Sequence, residues 1–226
     1  MLNFITGPLF IFSLLVFVVG LLARAVLYVR GLHWRLERVA YTCHPERSIP
    51  GALVSIVKWL IPGGTAGWRS QPAASAAFFL LHLGAVLVPL FLLGHTVLLE
   101  NFTGISLPAL PNGLADVLSV ASVAGILLLL ARRLFSPVLR RLNSGGDWLV
   151  LLLTFLPFCT GLMARLDTSS YQTWIILHVL SGELFLILAP FTKLSHIVLY
   201  FMSRAQIGMD FAIKRGGATR GGAYPW

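Results

Sequence analysis

The sequence predicts an all-α integral membrane bundle of five transmembrane helices, and three observations support this fold class. Hydrophobic residues make up 57% of the 226-residue chain and charged residues only 11%, a balance outside the range of ordinary soluble domains. Five apolar segments are long enough to cross a bilayer core, which takes roughly 20 helical residues. Basic residues are also distributed unevenly between the connections. We therefore treat residues 1–226 as a single membrane domain.

The spans and connections follow from the apolar pattern. The predicted spans are residues 4–29, 76–99, 114–134, 147–165 and 173–202. In the connection 30–75, the stretch "GALVSIVKWLI" is too short to cross the bilayer, so we expect it to lie at the interface or pack on the bundle. Turn residues ending at Asp147 are expected to cap span four. The Gly-rich, basic tail 205–226 is expected to be flexible.

The distribution of Lys and Arg predicts the orientation. Basic residues cluster in the connection 30–75, between spans three and four, and at the C-terminal end, whereas the N-terminus and the connection 100–113 have none. The positive-inside rule therefore predicts that the N-terminus is outside and the C-terminus is cytoplasmic, with the loop 30–75 cytoplasmic. The net charge of +9 is then explained by orientation and by contact with anionic membrane lipid, and no nucleic-acid partner is expected.

The two cysteines exclude several kinds of redox centre. Cys43 lies in the predicted cytoplasmic loop and Cys159 lies inside span four, so we expect no disulfide between them. The chain has no Cys-x-x-Cys-His motif for covalent attachment of haem. Two cysteines also do not supply an iron–sulfur cluster.

Four of the six histidines lie within predicted spans: His82 and His95 in span two, and His178 and His196 in span five. A single intramembrane histidine is explained equally well by a hydrogen bond to a neighbouring helix. Four of them, paired on two helices, favour a function. Neutral imidazoles from facing helices are the ligands that bis-histidine haem iron requires.

The spacing of these histidines is informative. His178 and His196 are 18 residues apart, which is five turns of an ideal helix and roughly 27 Å along its axis, so both are expected on one face. His82 and His95 are 13 residues apart, roughly 20 Å along the axis but rotated by about 140°. Pro89, which lies between them, is expected to kink or rewind the helix and reduce this mismatch.

The direction of the spans predicts the pairing. Span two runs outward and span five runs inward, so His82 and His196 share the cytoplasmic half, whereas His95 and His178 share the outer half. Pro190 is expected to adjust the approach of the inner imidazole of span five. The sequence therefore predicts two stacked haems, an inner one held by His82 and His196 and an outer one held by His95 and His178.

These features resemble a known family, the di-haem cytochrome b gamma subunit of respiratory nitrate reductase and its relatives. The resemblance rests on the spacing from His178 to His196, the "PFTKLSHI" motif around His196, the "LLHLG" and "LLGH" motifs of span two, and the five spans. The pattern is closest in kind to the short cytochrome b subunits of membrane redox complexes in sulfate-reducing bacteria.

The resemblance implies a cofactor set and partners. It implies two haem b groups with the same histidine pairing, and menaquinone as a further cofactor. It implies a cytoplasmic iron–sulfur protein, a periplasmic multihaem cytochrome c and other membrane subunits as partners, in a bacterial inner membrane. One departure concerns the quinol site, because the lysine that the nitrate reductase subunit has at the outer start of span three is absent here.

Six further residues are candidates for cofactor contacts, each with a structural alternative. Gly94 would let a ring approach His95, or would serve close helix packing. Glu183 would handle protons or contact a quinone, or would donate a hydrogen bond to a neighbouring helix. Cations near the inner surface would bind haem propionates, or would only set the topology. These cations are Arg132, Arg133, Lys193 and Arg204.

The predicted function is transmembrane electron transfer between a periplasmic cytochrome c or the quinol pool and a cytoplasmic iron–sulfur subunit. The chain would then be the electron-transfer subunit of a respiratory oxidoreductase complex, and no residue is predicted to be catalytic. Two alternatives remain open. One is a stand-alone quinone-reactive enzyme, and the other is a non-haem membrane transporter or scaffold that uses its histidines for protons or metal.

Overall fold

The computed structural model describes residues 2–32 and 45–213, and within these ranges all regular secondary structure is helical. Five of the described helices are long and apolar enough to cross a membrane, which confirms the all-α class and a multi-pass membrane protein. They are Leu2–Gly31, Pro72–Phe91, Asn112–Phe135, Gly145–Leu166 and Tyr171–Phe191, the last including a final 3-10 turn. His33, Cys43 and His44, which the sequence places in the long connection, lie outside the described residues.

We number the described α-helices in chain order. The first is α1 Leu2–Gly31, which includes a π-helical stretch at Ile5–Leu9. The next six are α2 Pro45–Leu60, α3 Ala66–Ser70, α4 Pro72–Phe91, α5 Leu93–Thr103, α6 Asn112–Phe135 and α7 Pro137–Leu142. The last three are α8 Gly145–Leu166, α9 Tyr171–Leu188 and α10 His196–Ile213. Two 3-10 turns, Ala189–Phe191 and Lys193–Ser195, connect α9 to α10.

The described residues form two compact units. The first comprises residues 2–11 and 73–185, and the second comprises residues 12–32, 45–72 and 186–213. In the first unit α4 and α6 approach closely at small residues, where a Cβ on Gly125 would lie 2.6 Å from the Ala77 carbonyl oxygen. The buried Ser122 hydroxyl donates to the Leu81 carbonyl oxygen at 3.3 Å. Small residues are the usual means of close helix packing in membranes.

In the second unit α2 and α10 cross antiparallel at two glycines. A Cβ on Gly51 would lie 2.5 Å from the Gly208 carbonyl oxygen and 2.6 Å from Ala212 Cβ. Further along, the Arg204 guanidinium lies 4.6 Å from the centroid of the Trp59 ring. The stretch "GALVSIVKWLI" therefore lies mostly in a helix that packs on α10, one of its two expected positions.

The structure confirms the cap that the sequence predicts for span four. At the start of α8 the Asp147 carboxylate accepts hydrogen bonds from the Ser144 backbone N–H at 2.9 Å and from the Ser144 hydroxyl at 2.7 Å. These contacts satisfy a donor that the helix leaves unpaired at its N-terminus.

Span two differs from the continuous helix predicted for residues 76–99. The helix begins at Pro72 and ends at Phe91, Leu92 is extended, and His95 lies on the separate helix α5. Pro89 has no N–H and its ring crowds the preceding turn, which weakens the helix at this point. The Phe91 carbonyl oxygen, freed by the break, accepts from the Leu110 N–H at 2.7 Å.

Span five also differs, and the difference corrects the spacing argument for its histidines. The α-helix ends at Leu188, Thr192 is extended, and α10 begins at His196. The continuous ideal helix on which the expectation of one face and 27 Å rests is therefore not found, because the helix is interrupted near Pro190, between His178 and His196.

Part of the tail that the sequence predicts to be flexible is helical. Residues 205–213 belong to α10, and 214–226 lie outside the described residues. The helical part is held against α2 at the glycine crossing, a contact between distant segments that tail composition alone does not indicate.

Candidate functional site

Two of the four histidines that the sequence places within spans meet in the first unit. His95 on α5 and His178 on α9 face each other with their Nε2 atoms 3.4 Å apart. Their rings are nearly parallel, with planes 8° apart and centroids separated by 5.7 Å. Both side chains are half-buried. The structure thus brings together the two residues that the sequence assigns to the outer pair.

The other ring nitrogen of each histidine contacts a backbone carbonyl. His95 Nδ1 lies 3.2 Å from the Val88 oxygen, and His178 Nδ1 lies 2.9 Å from the Pro157 oxygen. A carbonyl oxygen only accepts hydrogen bonds, so each Nδ1 carries the proton and each neutral Nε2 carries a lone pair. Two lone pairs directed at each other repel, unless a proton or a metal ion lies between them.

The donor set fits a metal held by two imidazoles. A metal–imidazole bond is about 2.0 Å long, so a metal between the rings needs a separation of about 4 Å. The observed 3.4 Å requires a small outward movement of the two rings. Within residues 2–32 and 45–213, no group of three or more His, Cys, Asp or Glu side chains could hold a metal ion.

One glycine contacts the pair, and two others that are near it in sequence border open space. A Cβ on Gly161 of α8 would lie 3.0 Å from both Cε1 and Nδ1 of His178. A Cβ on Gly94 or Gly182 would meet nothing within 4 Å. The close-packing alternative for Gly94 is therefore wrong in the part of the chain that the structure describes. Its contact with a quinone stays a prediction. Gly161 was not predicted, because only the fold brings it to His178.

His82 and His196 lie in different units, and their pairing stays a prediction. His82 Nδ1 lies 2.8 Å from the Phe78 oxygen, one turn earlier on α4. Its ring stacks on the Phe78 ring with centroids 3.7 Å apart. His196 Nδ1 lies 2.8 Å from the Lys193 oxygen. Each Nδ1 therefore contacts a carbonyl oxygen, as in the first pair.

Arg24 is a functional candidate that the sequence analysis missed. It lies within the apolar span Leu2–Gly31, and its Nε donates to the Pro190 carbonyl oxygen at 2.7 Å. A cation inside a span is costly and normally marks a binding or coupling role. The sequence feature that could have identified Arg24 is its position in an apolar stretch, several residues before the basic end of the span.

Glu183 is buried in α9, with 3% of its surface exposed. Neither carboxyl oxygen has a hydrogen-bond partner among the described residues. The expected hydrogen bond to a neighbouring helix is therefore not found in this part of the chain. Its role in proton handling or quinone contact stays a prediction.

The four predicted propionate cations have different surroundings. Arg133 donates to the Asn143 side-chain oxygen at 2.7 Å and lies 3.6 Å from Asp147, so it ties α6 to the start of α8. Arg204 stacks on Trp59 in the second unit. Arg132 and Lys193 are exposed. Contacts of these residues with a cofactor stay predictions.

Comparison with known proteins gives one close relative. A protein of Nitratidesulfovibrio vulgaris, described only as "Protein", is 57% identical over 223 residues, which cover 99% of both chains. No protein-family model and no solved structure matches the chain.

Proposed function

We propose that this chain, which belongs to the same protein family as the Nitratidesulfovibrio vulgaris relative, transfers electrons across a membrane through two b-type haems. Each haem would be held by two histidines in a multi-pass protein of the bacterial inner membrane. The observation that carries the proposal is the facing pair of His95 and His178, whose Nε2 atoms are 3.4 Å apart. His95 and His178 would hold one haem, because two converging neutral imidazoles are ligands that haem iron accepts.

The chain's own groups orient these imidazoles. The Nδ1–H of His95 donates to the Val88 carbonyl oxygen, and that of His178 donates to the Pro157 carbonyl oxygen. Such bonds fix the tautomer and ring orientation, and they raise the basicity of the ligating nitrogen. A haem bound there would supply a one-electron redox couple, and the two histidines, their hydrogen bonds and their burial would tune its potential.

The proposal of a second haem rests on the sequence. His82 and His196 are assigned to it by the direction of the spans and by the "LLHLG" and "PFTKLSHI" motifs. The contact of each Nδ1 with a backbone carbonyl oxygen is the same arrangement as in His95 and His178, and it supports the assignment. Two haems at different depths would give electrons a path across the bilayer.

The proposed path connects partners on both sides. A periplasmic multihaem cytochrome c or membrane quinol, such as menaquinol, would exchange electrons with the outer haem. A cytoplasmic iron–sulfur protein would exchange them with the inner haem. These partners follow from the resemblance to di-haem cytochrome b subunits, and the five apolar helices support the membrane setting.

The test is spectroscopic. Protein purified from native membranes is expected to show reduced haem b absorbance, with two haems per chain and no covalent attachment. Substitution of His82 or His196 by Ala is expected to remove one haem and leave the other. Purified wild-type protein that is folded and has no haem b absorbance would contradict the proposal and favour a non-haem transporter or scaffold.

The buried Glu183 favours a second candidate, reaction with quinone by the chain itself. An acidic group without a partner inside a span is a candidate for taking or giving a proton when a quinol reacts. Under this candidate, E183Q slows the reduction of the haems by a menaquinol analogue and leaves their reduction by dithionite unchanged. Equal menaquinol rates in E183Q and wild type would exclude this role for Glu183.

A further inference from the structure

Arg24 is an arginine inside a membrane span. It lies seven positions before the end of Leu2–Gly31, and the other charged residue of that span, Arg30, is exposed near its end. Seven residues correspond to about 10 Å along a helix. The guanidinium carries a positive charge at any physiological pH, and such a charge inside a span requires a partner.

Three residues of α1, spaced one turn apart, hold this guanidinium against the break in span five. A Cβ on Gly20 would lie 2.6 Å from Pro190 Cβ, so only glycine leaves room for the proline ring. Arg24 Nε donates to the Pro190 carbonyl oxygen at 2.7 Å. The Tyr28 hydroxyl donates to the Gln206 side-chain oxygen. The position of Arg24 is therefore fixed by contacts on either side of it.

The contact with Pro190 uses one of the five N–H donors of a guanidinium. Among the residues that the structure describes, Arg24 has no other hydrogen-bond acceptor and no carboxylate partner. Its positive charge is thus uncompensated within the described chain. A planar fork of N–H groups fits an anion with two oxygens, and a carboxylate or a phosphate has this chemistry.

The location favours a carboxylate inside the span over a lipid phosphate at the surface. A free arginine would extend its charged end toward the headgroups, but the bond from Nε to Pro190 holds this side chain inward. Pro190 belongs to the turn that leads to His196, six residues later. Both ends of that turn are buried, with Ala189 0% and Ser195 6% exposed, whereas Phe191 in its middle is 64% exposed. The buried ends connect the guanidinium to the start of α10.

We propose that Arg24 binds a propionate carboxylate of the haem that His196 ligates. This inference rests on the proposed function, since it requires that haem. The arginine contributes positive charge beside the haem and thereby stabilises its reduced form, which carries one more electron. The bond to Pro190 holds the charge in position relative to the ligand.

The experiment is a potentiometric titration of purified wild type, R24Q, R24K and R30Q, followed by haem absorbance. Gln retains a donor for Pro190 but removes the charge, whereas Lys retains both a donor and the charge. We expect the midpoint potential of one of the two haems to fall in R24Q. In R24K it is expected to stay close to wild type, and R30Q serves as the matched control on the same helix.

The outcomes separate this inference from the proposed function. A wild type without haem contradicts the proposed function itself. Two haems whose potentials are equal in R24Q and wild type, or equally shifted in R24Q and R24K, overturn the role of Arg24 only. Native mass spectrometry that finds a phospholipid on wild type and none on R24Q also overturns it, because the anion is then a lipid phosphate.

If R24Q does not assemble, the contact between Arg24 and the propionate is tested by comparing wild type with R24K. Redox-induced infrared difference spectra, recorded with haem labelled by ¹³C at the propionate carboxyls, report directly on the carboxylate. A labelled band that moves between wild type and R24K supports the contact. Labelled bands that are identical in the two proteins overturn it.

Discussion

The Nε2 atoms of His95 and His178 lie 3.4 Å apart, although the two residues are separated by 83 positions in the chain. Their rings are nearly parallel, at 8°, and each Nδ1 contacts a backbone carbonyl oxygen. The orientation of both rings is therefore set by the fold. If the two imidazoles bind one haem iron, the two histidines should be equally necessary for retention of that haem.

Loss of either histidine is expected to have the same effect as loss of both. H95A and H178A should each retain one of two haems, and the double variant should also retain one, because the residues act as a unit. Haem content per chain, from the pyridine haemochrome spectrum, is the measurement. S181A, one turn from His178 on α9, is the control and should retain two haems. A double variant with no haem would contradict the pairing.

Substitution of Gly161 is expected to disturb His178. An alanine Cβ there would lie 3.0 Å from Cε1 and Nδ1 of the imidazole, so the ring has to shift by a few tenths of an ångström. Overpacking of this kind costs about 1–3 kcal/mol. We expect G161A to change the potential of one haem, measured by redox titration. G182A, whose Cβ would meet nothing within 4 Å, should leave both potentials unchanged.

Substitution of Gly51 is expected to destabilise the second unit. Gly to Ala within a helix normally stabilises by about 1 kcal/mol. Here the new Cβ would lie 2.5 Å from the Gly208 carbonyl oxygen, and backbone atoms cannot move aside as a side chain does. We expect G51A to lower the thermal midpoint in detergent, with a cost of about 1–3 kcal/mol. G67A, whose Cβ would be 3.8 Å from its nearest neighbour, should not lower it.

Asp167 is expected to stabilise the protein down to low pH. Hydrogen bonds from the Ser169 hydroxyl, the Trp174 indole and the backbone N–H groups of Ser169 and Ser170 lower the pKa of this exposed carboxyl from 3.8 to about 2. These donors favour the charged form, so its contribution is complete above about pH 4 and is lost as the pH falls toward about 2.

The measurement is the thermal midpoint of wild type and D167N as a function of pH. The difference between them should be constant from pH 7 to about pH 4 and shrink below it. S169A removes the largest cause of the lowered pKa, so the pH-dependent loss of stability should be smaller in S169A and should be complete at a higher pH than in wild type. If the difference in thermal midpoint between wild type and D167N is the same at pH 2 as at pH 7, the carboxylate charge does not contribute to stability.

Several features were predictable from the sequence because they depend on local composition. The five spans appear as runs of apolar residues, and the cap at Asp147 appears as a turn followed by an apolar segment. Distortions at Pro89 and Pro190 were predicted, but the full helix breaks at Leu92 and near Pro190 were not. Membrane helices tolerate proline when other groups satisfy the freed carbonyls. Those groups, Leu110 N–H and Arg24 Nε, come from distant parts of the chain.

The sequence by itself determined the class of this protein and its candidate ligands, because hydropathy and the placement of four histidines in apolar segments are properties of neighbouring residues. Only the tertiary structure decided that His95 and His178 face each other with fixed rings, that Gly161 adjoins one of them, and that Arg24 reaches the turn before His196. These are contacts between segments far apart in the chain. They depend on helix breaks and close crossings, which periodicity along one helix does not encode.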